Sequence, residues 1–284
     1  MFLSPLFVPP LDLRKVRRAL SSSADVVILD LEDGVPPDKK RAARAVVQEV
    51  LGVRQAQSGG PAVWVRVNAA STDDFSADVA ALDWRAVDAA VLSKAEHPAA
   101  VAALAAAGAR GIVPLIESVT GLRGLRALRD ASPCVSRAAL GALDLTLDLG
   151  LTHVTEADDS ELIWHVRREL VLESRCLGLA PPLDGVFTRL GDLAGLKAVC
   201  DRARTIGFAG KLLIHPEQIP IAHACFTVDA VLVSEARALL EAIDARGDGQ
   251  SPVRIGNRMV DAPVVKRARA IVSASPSKSE DGTR

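Results

Sequence analysis

The sequence contains no tyrosine, and aromatic residues make up only 3% of its 284 residues. It also lacks an excess of either charge, because 34 lysines and arginines nearly balance 35 aspartates and glutamates, for a net charge of -1. Proteins that bind nucleic acids commonly use excess basic residues against phosphates and aromatic rings against bases. We therefore expect no nucleic acid partner.

Cysteines are few and long apolar runs are absent. The four cysteines are scattered without a C-x-x-C pair, which fits neither a disulfide framework nor a zinc site and predicts a reducing, cytoplasmic location. No run of 18 apolar residues is free of charge, so no membrane span is expected. The basic residues of the N-terminus follow its short apolar stretch, whereas those of a signal peptide precede it.

What the sequence does contain is an alternation of short apolar runs with longer segments of helical period. Eight such units predict an α/β fold of the (β/α)8, or TIM barrel, type. A doubly wound sheet would need G-x-G-x-x-G after the first strand, where Phe7-Val8-Pro9-Pro10 stands instead. The predicted strands are residues 6–8, 26–29, 62–67, 89–92, 111–116, 138–143, 185–187 and 212–214.

The rest of the chain is predicted to extend this barrel. Residues 1–225 would form the barrel, 226–272 C-terminal helices with a lid, and 273–284 a disordered tail of small and polar residues. Residues 246–252 are predicted to be a linker between two helical segments, and 257–272 to be partly helical.

Polar residues follow most of the predicted strands. TIM barrels carry their active sites at the C-terminal ends of the strands, so these residues are the first candidates for a site. The candidates are Asp30, Glu32, Asp33, Arg66, Lys94, Glu117, Asp144 and His215.

Glu117 and Asp144 follow neighbouring predicted strands, and two such carboxylates repel unless a positive charge lies between them. A hard cation such as Mg2+, or Mn2+, would relieve this repulsion with oxygen ligands and keep positions open for water and substrate. Two alternatives remain open. Arg66 and Lys94 could neutralise the pair as salt bridges, and Glu117 could be a first-turn acid of the next helix.

The other candidates have less specific roles. The acids Asp30, Glu32 and Asp33 are expected to face the metal through water or to pair with a lysine or arginine. His215 beside Pro216 could act on the substrate or simply cap the eighth strand. Lys94 could be no more than a salt-bridge partner.

Several motifs resemble the citrate lyase β-subunit-like branch of the HpcH/HpaI aldolase superfamily. They include VVILDLEDGV (26–35), PLIESVTGL (114–122), GFAGKLLIHPEQI (207–219) and NRMVDAPVVKRA (257–268). The resemblance implies a TIM barrel, commonly trimeric, that makes or breaks a carbon–carbon bond in β-hydroxyacyl-CoA thioesters such as citramalyl-, malyl- or citryl-CoA.

The same resemblance assigns roles to single residues. Glu117 and Asp144 would be the Mg2+ ligands, and Arg66 would bind the substrate and stabilise an enolate. Asp261 would match the tail aspartate that a neighbouring subunit places over the active site. Two alternatives stay open, namely a β-hydroxyacyl-CoA thioesterase and a catalytically silent barrel that serves as a binding module.

The sequence departs from the family pattern at three places. Residues 3–12 keep L-F-V-P but lack two arginines and a glycine of the family's opening motif. Leu143 stands in place of a glutamate before Asp144, and Ser93 in place of a proline before Lys94. These changes predict a divergent member with an altered substrate or weakened activity.

Overall fold

The computed structural model describes residues 4–54, 60–154, 156–245, 253–255 and 258–274. The chain divides into two compact units, of which the N-terminal unit ends at Phe226 and the C-terminal unit begins at Thr227. The predicted linker at 246–252 and most of the predicted tail, residues 275–284, lie outside the described residues.

The N-terminal unit is built on a six-stranded parallel sheet in which each strand pairs with the next one along the chain. Apolar side chains fill both faces of these strands, as expected of parallel strands covered by helices. The strands are β1 (Pro5–Val8), β2 (Val26–Asp30), β3 (Ala62–Val67), β4 (Ala89–Leu92), β5 (Ile112–Ile116) and β6 (Ala139–Leu140). The first five predicted strands are thereby confirmed.

Helices follow the strands and bury one face each. In the fifth helix, Ser118 accepts a hydrogen bond from the backbone N–H of Gly121 and so begins the helix, and Leu122, Leu125 and Leu128 are buried on one side. The helices of this unit are α1 (Leu13–Leu20), α2 (Lys40–Arg54), α3 (Asp73–Ala81), α4 (Pro98–Ala106), α5 (Val119–Ala131), α6 (Ala142–Asp148), α7 (Glu161–Cys176), α8 (Leu193–Ile206) and α9 (Ile219–Phe226).

The sixth strand is shorter than predicted. The prediction of a strand over 138–143 is wrong beyond Leu140, because the carbonyl of Gly141 accepts a hydrogen bond from Leu145 N at 3.1 Å and begins α6. Alanine and leucine favour a helix here once the strand ladder has ended. Asp144 therefore lies in the first turn of a helix rather than at the end of a strand.

The last two predicted strands are reduced to single parallel bridges in the described residues. Bridges join Ala139 to Leu183, Asp184 to Lys211, and Leu6 to Leu213. The prediction of full strands at 185–187 and 212–214 is therefore wrong. The bridge from Ala139 is formed by Leu183, two residues before the predicted start of the seventh strand. Prolines 181 and 182 lack backbone N–H groups, which shortens the hydrogen-bond ladder at this point.

Two buried clusters occupy the two faces of the sheet. The larger cluster lies between the strands and the surrounding helices. The smaller one gathers alternate residues of β2 to β6 together with the two bridged segments, as side chains on one face of a strand have a period of two. Its members are Val26, Ile28, Trp64, Ala89, Val91, Val113, Leu115, Ala139, Leu183 and Leu212.

The C-terminal unit contains two helices and a small antiparallel hairpin in its described residues. These elements are α10 (Ala230–Asp244), β7 (Val253–Ile255), β8 (Arg258–Val260) and α11 (Ala262–Ala274). Helix α11 confirms most of the predicted helix at 257–272. The first residues of that segment pair with β7 instead, an arrangement that local helical period does not reveal.

One stretch of the described chain, Pro216–Asp244, has the length and composition of a membrane-crossing segment, because one 18-residue window within it has a mean hydropathy of 1.4. It is made of a 3-10 turn and two helices, α9 of 8 and α10 of 15 residues, separated at residues 227–229. A helix that spans a bilayer needs about 20 apolar residues. Neither helix reaches that length.

Candidate metal and substrate site

A pocket of about 370 Å3 opens at the C-terminal ends of the strands in the N-terminal unit. One side of it is charged and the other is apolar. The charged lining residues are Asp30, Asp33, Arg66, Glu117 and Asp144, and the apolar ones include Phe7, Pro9, Leu143, Val186 and Ile214. The structure thus brings five of the predicted site residues to one pocket.

Arg66 lies in the middle of the charged side. Its Nε and Nη2 donate to Asp30 Oδ1 and Oδ2 at 2.6 and 2.8 Å, and its Nη1 lies 2.9 Å from Glu32 Oε2. Its guanidinium carbon also lies 4.8 Å from the centroid of the Phe7 ring. Burial lowers the pKa of Arg66, but the hydrogen bonds and charge of Asp30 outweigh that effect and leave the pKa raised. Arg66 is therefore charged and fixed in orientation.

Glu117 follows β5 and is buried, with Oε2 accepting a hydrogen bond of 2.6 Å from the backbone N–H of Lys94. Gly141 passes so close to it that a Cβ at that position would lie 2.2 Å from Glu117 Cγ, so the close approach requires glycine. Asp144 follows in the first turn of α6 and lines the same pocket. The two predicted metal carboxylates therefore line one pocket, and the charge of Asp144 acts on the Glu117 carboxyl.

Burial and neighbouring negative charges raise the pKa of two acids at the site, Glu117 and Glu32. Burial, with the charges of Glu32 and Asp144, raises the pKa of Glu117 to about 8, although the Lys94 N–H and the Arg66 charge act in the opposite direction. Burial likewise raises the pKa of Glu32 to about 7, against the lowering effect of Arg66. These carboxylates therefore hold negative charge at an energetic cost that a nearby cation would relieve.

Neither the Arg66 guanidinium nor the Lys94 ammonium group lies within 4.0 Å of a Glu117 or Asp144 carboxylate oxygen, and both groups contact Glu32 instead. Lys94 Nζ is 3.9 Å from Glu32 Oε1. The alternative in which these two cations neutralise the predicted metal pair therefore does not describe the arrangement seen. The expectation that one of the acids after β2 pairs with a lysine or arginine agrees with the contacts of Arg66.

The chemistry of these residues fits a divalent cation. Glu32 Oε2 is buried without a hydrogen bond in the described chain, although it lies 2.9 Å from Arg66 Nη1. Groups of three or more His, Cys, Asp or Glu side chains that could enclose a metal are absent from the described residues. Mg2+ needs only one or two carboxylates beside water and substrate oxygens, which Glu117 and Asp144 can supply.

The structure does not place His215 among the residues that line the pocket, and Asp261 belongs to the C-terminal unit. The His215 side chain accepts a hydrogen bond from Glu217 N at 3.3 Å and caps a 3-10 turn, and it does not line the pocket. Asp261, in the C-terminal unit, accepts one from Val264 N at 3.2 Å at the start of α11. Their roles at the site remain predictions.

Sequence reasoning missed a lysine that supports the site from behind. Lys40 Nζ donates to the carbonyls of Leu31 and Glu32, each at 2.7 Å, and to Asn68 Oδ1 at 2.6 Å. The sequence feature that could have indicated this role is the position of Lys40 at the start of a predicted helix, shortly after the acidic run at residues 30–33. Sequence alone does not show which of the adjacent Lys39 and Lys40 turns inward.

The comparison with known families agrees with this geometry. A model of the HpcH/HpaI aldolase/citrate lyase family matches residues 3–216. The chain belongs to this family. The match covers the six-stranded sheet and every polar residue that lines the pocket.

Relatives within the HpcH/HpaI aldolase/citrate lyase family carry different activities. The chain is 32% identical to a citrate lyase subunit beta-like protein of Deinococcus radiodurans, over 95% of this chain and 96% of the relative. It is 31% identical to an L-malyl-CoA/beta-methylmalyl-CoA lyase of Cereibacter sphaeroides, over 89% of this chain and 87% of the relative. It is also 30% identical to a (3S)-malyl-CoA thioesterase of that organism, over 94% and 92%.

A solved structure of the family is similar over nearly the whole chain. The protein CitE of Mycobacterium tuberculosis, in complex with magnesium, acetoacetate and coenzyme A, superposes with a TM-score of 0.75 at 29% identity. The similarity covers 96% of this chain and 98% of that one.

Proposed function

We propose that this protein is a Mg2+-dependent carbon–carbon lyase that acts on a β-hydroxyacyl-CoA thioester such as citramalyl-, malyl- or citryl-CoA. The observation that carries the proposal is that Glu117 and Asp144 line one pocket together with a fixed, charged Arg66. The family and its lyase members support the reaction class, and the coenzyme A and magnesium in the CitE complex support the substrate class and the metal.

Glu117 and Asp144 would hold the metal, with Mn2+ as a possible substitute for Mg2+. When bound, the cation would chelate the substrate hydroxyl and its neighbouring carboxylate or keto oxygen and lower the pKa of the hydroxyl. Asp30, Glu32 and Asp33 then keep the surroundings negative and help to retain the cation. Asp30 also holds the Arg66 guanidinium through two hydrogen bonds.

Arg66 would stabilise the charge that develops during cleavage. The substrate hydroxyl gives up its proton, a carbonyl forms at that carbon, and the carbon–carbon bond breaks with its electron pair passing to the thioester fragment. The resulting enolate takes up a proton to give an acyl-CoA product. Asp30 accepts one N–H from Nε and one from Nη2 of Arg66, and Glu32 Oε2 lies 2.9 Å from Nη1 without a hydrogen bond. Three of the five N–H groups of Arg66 are therefore the candidates to stabilise the enolate oxygen.

A second candidate function is hydrolysis of the thioester, as in the malyl-CoA thioesterase relative at 30% identity. In that reaction water attacks the thioester carbonyl, and free CoA leaves with the hydroxy acid as the other product. The same metal and arginine would bind the substrate. The two reactions differ in whether the carbon–carbon bond survives.

Closure of the barrel and assembly of the subunits would complete this site. The bridges at Leu183, Lys211 and Leu213 support closure of the sheet into an eight-stranded barrel. We propose that Asp261 reaches the pocket of a neighbouring subunit in a homotrimer, in the cytoplasm, with no nucleic acid or membrane partner. The start of α11 would then act as a lid that excludes water or handles a proton.

The test is turnover of citramalyl-, malyl- and citryl-CoA with and without Mg2+, with products resolved by mass spectrometry. The expected result is a shorter acyl-CoA plus a carbonyl compound, formed only with metal. Free CoA with an intact hydroxy acid would instead establish the thioesterase. Metal binding without turnover would point to a binding module.

Variants in the same assay test the assigned residues. Glu117→Ala and Asp144→Ala are each expected to abolish turnover and Mg2+ binding, whereas Asp261→Asn should lower turnover and leave Mg2+ binding intact. Asp130→Asn, at an exposed position on α5, serves as the matched carboxylate control. A fully active Glu117→Ala enzyme would show that Glu117 is not a metal ligand.

A further inference from the structure

Strand β2 ends at Asp30, and the loop that follows carries two more acids of the candidate site, Glu32 and Asp33. Asp30 binds two backbone N–H groups of this loop. Asp30 Oδ1 accepts a hydrogen bond from Glu32 N at 3.0 Å, and Asp30 Oδ2 accepts one from Gly34 N at 2.9 Å. The same carboxylate binds Arg66. The shape of this loop therefore sets where both the Glu32 carboxylate and the Arg66 guanidinium lie.

The far side of the loop is held by Lys40. All three hydrogen-bond donors of its ammonium group have acceptors, which are the carbonyls of Leu31 and Glu32 and the side-chain oxygen of Asn68. The lysine is buried, with 9% of its surface exposed. Two consecutive backbone carbonyls of the acidic loop thus converge on one cation.

A second layer of hydrogen bonds fixes Asn68 in turn. Asn68 Nδ2 donates to the Leu31 carbonyl at 3.0 Å and to Asp78 Oδ2 at 2.7 Å. Asp78 is itself buried and accepts a hydrogen bond of 2.6 Å from Arg44 Nε. The network therefore runs from helices α2 and α3 through Asn68 to the loop, and Lys40 is the cation of this network that binds the backbone carbonyls of the loop.

The choice of a lysine here has a physical reason. Burial of an ammonium group is costly, and its partners in this case are neutral dipoles rather than a carboxylate. An apolar side chain at the start of α2 would avoid that cost, but it would leave Asn68 Oδ1 without its donor, the Leu31 carbonyl with Asn68 Nδ2 alone and the Glu32 carbonyl with Val35 N alone. Lys40 thus stabilises the backbone of the loop through its hydrogen bonds to the Leu31 and Glu32 carbonyls.

We propose that Lys40 is a positioning residue for this site: by anchoring the Leu31 and Glu32 carbonyls it fixes Glu32 and, through Glu32 and Asp30, the orientation of Arg66. The inference rests on the proposed function for its catalytic consequence. Its structural consequence, the order of the loop, stands independently. Lys40 itself touches neither the pocket nor the substrate.

The experiment compares Lys40→Met, which keeps the length but loses the donors, with Arg44→Met. Arg44 belongs to the same network but bonds Asp78 and Asp74 rather than the loop, so its loss destabilises α2 and α3 without releasing the Leu31 and Glu32 carbonyls. Hydrogen exchange of the Glu32 and Gly34 amides and steady-state kinetics are measured for both variants under conditions where both are folded.

We expect faster exchange of the Glu32 and Gly34 amides in Lys40→Met and a much smaller increase in Arg44→Met, in which Lys40 still binds both loop carbonyls. Loss of a residue that supports a metal or active site commonly lowers affinity or activity by about tenfold to a hundredfold. We expect a fall in kcat/KM of that size in Lys40→Met, mainly through kcat, because Arg66 acts on charge that develops in the transition state. Arg44→Met should lower kcat/KM by much less than Lys40→Met, because the Leu31 and Glu32 carbonyls keep their bonds to Lys40.

The outcomes separate the two proposals. If the wild-type protein neither binds Mg2+ nor turns over a thioester, the proposed function fails, and the exchange of the loop amides still decides the role of Lys40. Equal exchange in the two variants would overturn the positioning role. Should Lys40→Met not fold, Lys40→Gln is measured in the same way, since its shorter amide reaches fewer of the three acceptors.

Discussion

Lys94 has the only positive φ angle among the non-glycine residues in the described part of the chain, at 45°. The left-handed region costs a residue with a Cβ about 1–2 kcal/mol. This conformation directs the Lys94 N–H at Glu117 Oε2, while the lysine side chain remains half-exposed near Glu32. The local strain therefore coincides with the hydrogen bond that holds a proposed metal ligand, as is common at functional sites.

A pair of substitutions separates the Lys94 backbone from its side chain. Lys94→Gly and Lys94→Ala both lose the exposed contact with Glu32, which contributes little, but only glycine relieves the strain. We expect Lys94→Gly to be more stable than Lys94→Ala by about 1 kcal/mol in urea unfolding. Equal stability of the two variants would show that the backbone at this position stores no strain.

At the scale of secondary-structure elements, a buried ion network ties α7 to the two bridged segments. Asp184 accepts hydrogen bonds from Arg167 Nε at 2.7 Å and from Lys211 Nζ at 2.6 Å, and all three side chains are fully buried. Arg167 also binds Asp158 at 2.6 Å. Burial alone raises the pKa of Asp184, but the charges of Arg167 and Lys211 outweigh it and lower the pKa below its ordinary value.

Removing the central charge should destabilise the N-terminal unit. Asp184→Asn leaves Arg167 and Lys211 buried with one anionic partner fewer, and loss of a partner from a buried ion pair commonly costs about 3–5 kcal/mol. We expect a decrease of that size in the free energy of unfolding by urea. The control Asp130→Asn removes an exposed pair with Arg129 and should leave the unfolding midpoint unchanged. A wild-type midpoint for Asp184→Asn would contradict this assignment.

The elements that could be predicted from sequence are those set by local pattern. Continuous apolar runs correctly predicted β1 to β5. The rule that barrel enzymes carry their sites at strand ends selected Asp30, Arg66, Glu117 and Asp144, which line one pocket in the structure. The start of α6 was missed because a short apolar segment after Gly141 suits a strand as well as a helix.

Contacts set by distant parts of the chain could not be predicted. The three acceptors of Lys40 and the left-handed backbone of Lys94 depend on how neighbouring strands place their loops, which no local period encodes. The hairpin of β7 and β8 likewise depends on pairing between segments rather than on the pattern of either one.

For the whole molecule, the electrostatics of the site link stability, pH and metal binding. The pKa of Glu32 is raised to about 7 and that of Glu117 to about 8, mainly by burial, from an ordinary value of 4.5. A carboxyl group whose pKa is higher in the folded than in the unfolded chain disfavours folding once it ionises. The metal-free protein should therefore lose stability as the pH rises from 4.5 to about 8.

Mg2+ should reverse this trend, because it binds only ionised carboxylates and compensates their repulsion. Below the pKa of Glu117, the apparent affinity for Mg2+ should rise by about tenfold per pH unit for each proton released, and it should level off above that pKa. The increase in Tm on adding a fixed concentration of Mg2+ should accordingly be larger at about pH 8.5 than at about pH 6. Thermal unfolding with and without Mg2+ across this range measures the effect, and Glu117→Gln should flatten it. A Mg2+-induced increase in Tm that is the same at both pH values would mean that the cation does not bind at the buried carboxylates.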